Sequence, residues 1–586
     1  MKTKRLISLL LAVMLILSAT ACQQKETEKP AEEKKPDELV NAVVQGEGNG
    51  KYGAFKVDVT LENSEIKDIK VVESSESGFT KPVIEQLTNE IIGKNSVSVD
   101  AVSGATLTSI ALISSVKDAV EKSGAVLTEK AYQKQAEKAE DVDTDIVIIG
   151  AGGAGLTAAI EATNAGANVI VVEKNAFMGG NTNYSTVGMN AANTKYQQAK
   201  GLQDSPELFY ADTMKGGKDL NNPELLKVFT EKSAETLYWL EDLGANLSEI
   251  GRSGGQSVDR IHKAPGGMPV GKHLMDVFSN QVETLGIDVR LSTKAIEILS
   301  EGNTVKGIKV ENIDGNTYNI NAEAVIIASG GCGANPDLVV KFKPELKGFG
   351  TTNSRGATGD ALAMVEKLDV SLTDIEQIQT HPTVVPKINE MITEGIRGDG
   401  AILVNHEGQR FIDELQTRDV VSKAILEQKG ATAYLVLDKQ VYDKASTYKS
   451  YKEQGLLKEA QTIVELATIM NVDAAALEAT IAKYNEAIKA KSDADFGRTS
   501  LEVELVSGPF YAVEVSPAIH HTMGGVTINT DAQVINNSGS PVEGLYAAGE
   551  VTGGVHGGNR IGGNAVTDIT VFGKIAGANA AAFVDK

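Results

Sequence analysis

Polar and apolar residues alternate from Phe55 to Leu61, with Phe55, Val57, Val59 and Leu61 on one side, the period of a half-buried strand. Asn63-Ser64 reads as a turn, and Ile66, Ile69 and Val71 mark a second strand. The period then lengthens to that of helices over residues 82–92 and 107–122. These elements predict a small α+β domain at 39–125. The polar, Lys- and Glu-rich stretch 123–141 predicts a linker or a connecting helix, with the linker placed at 126–142. From Asp145 the pattern changes. Residues 146–149 are a continuous apolar run, as in a parallel strand covered on both faces. The run enters a glycine cluster, then a helical segment at 156–165, then a second apolar strand at 169–172 that ends at Glu173. Residues 324–328 and 544–550 are two further apolar strands that meet glycines. The first unit and the last strand stand far apart along the chain. A second domain is therefore expected between them, at 378–516, dividing a parent α/β domain into 143–377 and 517–586.

Composition narrows the function. The chain has 586 residues, 42% of them hydrophobic, enough for several buried cores. The net charge of −22 repels phosphate backbones, so no nucleic-acid partner is expected. An anionic substrate would then need a local basic cluster. The two cysteines, Cys22 and Cys332, allow no disulfide framework, no haem attachment and no metal site of the Cys-rich kind; no metal is expected. Lys2, Lys4 and Arg5 precede an apolar run, Leu6 to Leu17, and the small residues Ser18 to Ala21, which predicts a secretory signal at 1–21. The run is too short to cross a membrane comfortably. Cys22 directly after the cut resembles a bacterial lipobox, although Ala19 stands where leucine is usual. The resemblance implies a lipidated Cys22, a polar tether at 22–38 and a location on the outer face of the membrane; the alternative is an ordinary cleaved signal.

The glycine cluster is Gly150-Ala151-Gly152-Gly153-Ala154-Gly155. It follows a buried strand and opens a helix, and Glu173 closes the next strand. A helix N-terminus with free N–H groups holds a pyrophosphate, glycines at Gly150, Gly152, Gly153 and Gly155 let it approach, and Glu173 takes ribose hydroxyls while repelling a 2′-phosphate. The motif alone leaves FAD and NAD open. Further segments favour FAD: Glu173-Lys174, Gly179-Gly180-Asn181-Thr182, Gly188 to Ala192, Ala548-Gly549-Glu550 and Gly557 to Ala565. From about Asp143 onward the chain resembles the fumarate reductase/succinate dehydrogenase flavoproteins, and most closely the flavocytochrome c type. The resemblance implies a Rossmann-like FAD-binding domain with an inserted α+β capping domain, hence the α/β class. It implies non-covalent FAD held by the glycines, Glu173, Lys174, Gly180, Asn181, Thr182, Gly188, His521, Glu550 and Ala565, with Glu550 on the ribityl chain.

The foreseen basic cluster is present in five segments: Gln379 to Thr383, Met391 to Arg397, Gln416 to Asp419, His520 to Gly525, and Arg560. By the same resemblance His381, Thr393, His520 and Arg560 clamp the carboxylates of a small unsaturated acid, such as fumarate. Arg418 delivers a proton to the alkene, and Glu394 and Arg397 restore it. A guanidinium fork suits a planar carboxylate. An arginine can protonate a strongly basic carbon if a carboxylate relay renews its proton.

The small domain carries Asp100 to Ser109, which closely resembles the flavinylation motif of FMN-binding domains. The resemblance implies covalent FMN on Thr106, in place of the haem domain of the flavocytochromes, fed by a membrane-linked or extracellular donor. Urocanate, methacrylate or a cinnamate-type acid are alternative substrates. A surface electron carrier without turnover is the alternative of a different class.

Overall fold

The computed structural model describes residues 39–50, 53–76, 78–102, 104–132 and 139–585. The expected signal segment, Cys22, the tether 22–38, Ser103 and residues 133–138 of the linker lie outside the described residues.

The alternation from Phe55 to Leu61 becomes Ala54–Glu62, the central strand of a three-stranded antiparallel sheet, with its apolar side chains buried. Asn63 and Ser64, at φ 53° and 60°, make the tight turn into Glu65–Ser74. Ile66 and Ile69 stand three apart yet face Leu61 and Val59, because the register slips between Thr60 and Leu61. The third strand, Ala42–Asn49, has no counterpart in the hydrophobic pattern. Gly46 and Gly48 are the reason. A Cβ at Gly46 would lie 1.9 Å from the Ser115 carbonyl oxygen, so the helix Thr106–Ser123 rests directly on this strand. Helix Lys81–Lys94 completes the small domain. Residues 125–132 run without helix or strand, which makes the described part of this stretch a linker.

In the parent domain Val142–Ile149 pairs in parallel with Val169–Val172 on one side and Thr317–Ile327 on the other. Pro541–Ala547 pairs in parallel with Thr317–Ile327, so distant segments meet in one sheet. The eight-stranded sheet runs Lys294–Glu301, Thr304–Glu311, Pro541–Ala547, Thr317–Ile327, Val142–Ile149, Val169–Val172 and Asp288–Arg290, with Gln533–Ile535 beside Pro541–Ala547. Helices Gly153–Asn164 and Asn564–Val584 pack together against it. The first of these starts at Gly153 rather than Leu156, because glycines carry no side chain to mark a helical face. The last strand ends at Ala547, where Gly549, at φ 78°, bends the chain and takes Glu550 out of the sheet.

From Ile378 the chain enters an antiparallel sheet in the order Ile378–Val384, Phe510–Thr522, Ala433–Asp438 and Ile402–Val404, with Lys458–Ala460 along Phe510–Thr522. This insert encloses its own core around Leu403, Val436, Tyr451 and Tyr484. Phe510–Thr522 runs unbroken through residue 516, so insert and parent domain share one strand. The small domain docks on helix Val270–Leu285, where Gly78 N donates to Asp276 Oδ1 at 2.9 Å and Lys81 pairs with Glu283 at 2.7 Å. Among the described residues no helix is long and apolar enough to cross a membrane.

Candidate functional site

The strand Val142–Ile149 delivers the chain into the glycine turn. A Cβ at Gly155 would lie 1.9 Å from the Gly150 carbonyl oxygen, so turn and helix close only without a side chain there. Gly152 caps the helix in an extended conformation, and Gly153 N donates to Thr182 Oγ1 at 3.0 Å. Glu173 ends the next strand, buried, accepting from Ala151 N at 3.1 Å and from Asn175 N at 2.8 Å. Burial pushes its carboxyl up despite these donors. Gly150, Gly152, Glu173, Lys174, Gly180 and Asn181 border one cleft, where Lys174 Nζ is held by Asp360 at 2.7 Å. The Ser329 hydroxyl in this cleft is buried without a partner. A helix N-terminus over a glycine floor, with a carboxylate at the next strand end, fits a dinucleotide.

Asn181 also borders a second cavity of about 600 Å³. Thr182, Gly188, His521, Glu550 and Ala565 line it as well. Glu550 accepts from Asn181 Nδ2 at 2.9 Å and Thr522 N at 3.0 Å, and burial raises its carboxyl. Cys332, in the strand turn nearby, is buried, and its thiol is pushed up to about 12 by burial and then by Glu550. It is an unreactive packing group.

Three of the clamp candidates, His381, His520 and Arg560, meet in the same cavity. Antiparallel pairing of Ile378–Val384 with Phe510–Thr522 sets Gln379 opposite His521 and brings the rings of His381 and His520 to 5.0 Å. His381 Nδ1 accepts from Thr383 N at 3.3 Å, which leaves the proton on Nε2, a buried donor with no partner. His520 Nδ1 lies 2.7 Å from Thr352 Oγ1. Arg418 opens the helix Arg418–Leu426; its Nε donates to Glu394 Oε2 at 2.8 Å and its Nη1 to Gln379 Oε1 at 3.0 Å. The other oxygen of Glu394 accepts from Ser253 Oγ at 2.8 Å. Thr393 and Arg397 lie buried behind the cavity wall. Thr393 Oγ1 accepts from Thr186 Oγ1 at 3.0 Å and Gly395 N at 3.4 Å, which frees its own O–H to donate. Arg397 Nη2 lies 3.8 Å from Glu394 Oε2, and Nη1 donates to the Glu414 carbonyl at 2.7 Å.

The electrostatics call for an anion. Burial alone would raise Glu394, but Arg418 and Arg397 outweigh it and hold the carboxyl far below the usual range. Burial, with Arg418 next, pushes Arg560 down to about 9, and burial pushes Arg397 down to about 10. Arg560 donates among the described residues only to the Ile561 carbonyl, at 3.3 Å, and its Nε is buried without a partner. Burial and the nearby guanidiniums hold His381, His520 and His521 well below the ordinary histidine value, so all three are neutral. Buried guanidiniums and unpartnered donors of this kind are satisfied by carboxylates.

Thr106 is exposed at the start of its helix and lines the same cavity. Ser109 pins the loop before it, accepting from Val102 N at 3.1 Å and donating to the Ala105 carbonyl at 2.9 Å. Small residues and a helix start with no side-chain cap leave room and donors for a phosphate.

Ser253, Thr186 and Thr352 hold Glu394, Thr393 and His520, yet no pattern in their segments marks them. Gln379 joins Arg418 to Asn559 and the Arg560 carbonyl; its only signal is its place two residues before His381.

Residues 145–566 match the family model for an FAD binding domain, and residues 50–121 match that for an FMN-binding domain. The chain is 46% identical over 443 residues to a fumarate reductase (cytochrome) from Shewanella frigidimarina, covering 75% of this chain and 78% of that one. It is 44% identical over 528 residues to an NADH:fumarate oxidoreductase from Klebsiella pneumoniae; the match covers 90% of this chain but only 57% of the longer relative. A urocanate reductase from Eggerthella lenta is 36% identical over 557 residues, 92% of each chain. Among solved structures, the open conformation of a flavocytochrome c3 fumarate reductase aligns with a TM-score of 0.66 at 42% identity, over 76% of this chain and 79% of that one.

Proposed function

Because the chain belongs to the FAD-binding flavoprotein family of the flavocytochrome c fumarate reductases, with an FMN-binding domain ahead of it, we propose that it reduces the carbon–carbon double bond of a small unsaturated dicarboxylate, fumarate by preference. The observation that carries this is the hydrogen bond of 2.8 Å from Arg418 to Glu394 at the wall of a cavity that His381, His520 and Arg560 also line. Bound FAD supplies the hydride, and FMN linked through its phosphate to Thr106 supplies the electrons that renew it.

The chain's own residues do the rest. His381 and Thr393 offer donors to one carboxylate, and His520 and Arg560 hold the other. Gripping both ends draws charge out of the double bond and fixes it for attack. Once one carbon has accepted the hydride, its neighbour is a strong base, and an Arg418 N–H protonates it. Glu394 passes a proton back to Arg418, and Arg397, 3.8 Å beyond Glu394, gives Glu394 that proton and regains its own from solvent. Two sets of buried donors, one of them carrying the Arg560 charge, favour a dicarboxylate over a single carboxyl group.

The protein is exported and lipid-anchored through Cys22, and its electron donor is a membrane-linked or extracellular carrier. An exported enzyme has no direct access to cytoplasmic NADH. Reoxidation of dithionite-reduced viologen by fumarate, urocanate, methacrylate and cinnamate tests the substrate; faster reoxidation by any acid other than fumarate rejects the dicarboxylate preference. Cys22→Ser is expected to move the protein from the membrane fraction to the soluble fraction.

A further inference from the structure

Three large side chains that stand unusually open to solvent border the same cavity. Leu107, 52% exposed, belongs to the small domain, next to Thr106. Tyr184, 38% exposed, ends the turn that carries Asn181 and Thr182 in the parent domain. Ile388, 60% exposed, sits in the insert, between Lys387 and Asn389, both in the left-handed region at φ 71° and 58°. These two left-handed residues form a tight loop, with Val385 N donating to the Glu390 carbonyl at 2.8 Å, so Ile388 is presented on a stiff tip.

Isolated exposed apolar residues need no explanation, but three from three separate domains bordering one cavity do. The junction is firm on the other side. Gly104, at φ 87°, packs so closely on Phe177 that a Cβ there would lie 3.0 Å from the ring. Asp276 and Glu283 anchor the small domain beside it. We propose that Leu107, Tyr184 and Ile388 form an apolar slot that seats the isoalloxazine ring of the FMN carried on Thr106, between the small domain and the insert. The occupant follows from the tether. Thr106 borders this cavity, and a flat aromatic ring is the shape that two aliphatic faces and a tyrosine cover. The slot presupposes FMN on Thr106, as proposed above.

Native flavin emission tests the slot, because a ring stacked beside a tyrosine is quenched and a solvated one is not. The emission of Thr106→Ala, which retains FAD alone, is subtracted from that of the full protein. The FMN contribution is expected to be quenched in the native protein and released on denaturation. Tyr184→Leu and Ile388→Ser are expected to relieve the quenching and lower the anisotropy of the FMN signal. Ile469→Ser, an exposed apolar position on the helix Ile463–Met470 of the insert and away from this cavity, is expected to change neither. A fluorescent band that survives on a denaturing gel, combined with unquenched native emission, overturns the slot while leaving the attachment intact. So does quenching that neither variant relieves, or that Ile469→Ser relieves equally. Absence of the band rejects the attachment itself.

Discussion

Arg418 Nε donates to Glu394 Oε2 at 2.8 Å, and both side chains are 9% exposed. The pair joins a helix start to a loop 24 residues earlier, and both residues border the cavity. If this guanidinium is the proton donor, Arg418→Ala lowers kcat by about 10²- to 10⁴-fold. FAD stays bound, since the dinucleotide cleft lies elsewhere. Viologen-coupled turnover and the flavin absorbance of the purified variant check both halves; a full rate would remove Arg418 from the chemistry.

Arg560 is short of partners, so its contribution is expected in binding. Arg560→Met deletes a hydrogen bond to a charged group, worth about 1.5–3 kcal/mol, and should raise the KM for fumarate by about 10- to 150-fold. Succinate affinity, measured by flavin absorbance titration, should fall in parallel. An unchanged KM would remove Arg560 from the clamp.

Gly155→Ala places a methyl group 1.9 Å from the Gly150 carbonyl, against backbone that cannot yield. The variant should purify with little FAD and a lowered Tm. Gly166→Ala is the control: its φ of 102° strains any side chain, but nothing lies within 4 Å. It should lose stability, by about 1–3 kcal/mol, and keep FAD. Equal flavin content in the two variants would contradict the role of the turn.

Acid should weaken the fold in a defined window. Burial pushes His262 down to about 4, and burial with nearby guanidiniums holds His381, His520 and His521 well below the ordinary value. Unfolded histidines titrate near about 6.5. The folded values lie lower, so the stability is whole above that pH and is lost as the pH falls, toward about 4 for His262 and lower for the others. His262 alone accounts for on the order of 3 kcal/mol. Tm measured from pH 7.5 downward should drop below about pH 6.5, and His262→Gln should flatten the slope. A Tm independent of pH across this range would show that these histidines charge freely in the fold.

Much of the architecture was legible because it depends on neighbours in the chain. Residues 146–149 are apolar on both faces and end at Gly150, which is what a buried parallel strand entering a phosphate turn requires. The alternation of Phe55 to Leu61 needs no partner to be recognised. Ala42–Asn49 was hidden because Gly46 and Gly48 have no hydrophobicity to display; they mark a strand only once the helix that lies on them is known. Ser253, Thr186 and Thr352 were hidden for a related reason: a hydroxyl in a polar loop looks the same whether it holds a buried side chain or faces water.

By itself the chain determined which chemical groups exist and in what local frames they are held: glycines at the phosphate turn, a carboxylate at the next strand end, basic and imidazole side chains in short segments from 379 to 560. Only the tertiary structure decided that Arg418 and Glu394 share a buried hydrogen bond, that His381 and His520 face each other, and that Thr106 opens onto the same cavity. The physical reason is range. Strand and turn preferences act over a few residues, whereas the buried charge and unfilled donors of this site arise where the strands Ile378–Val384 and Phe510–Thr522 pair across more than a hundred intervening residues.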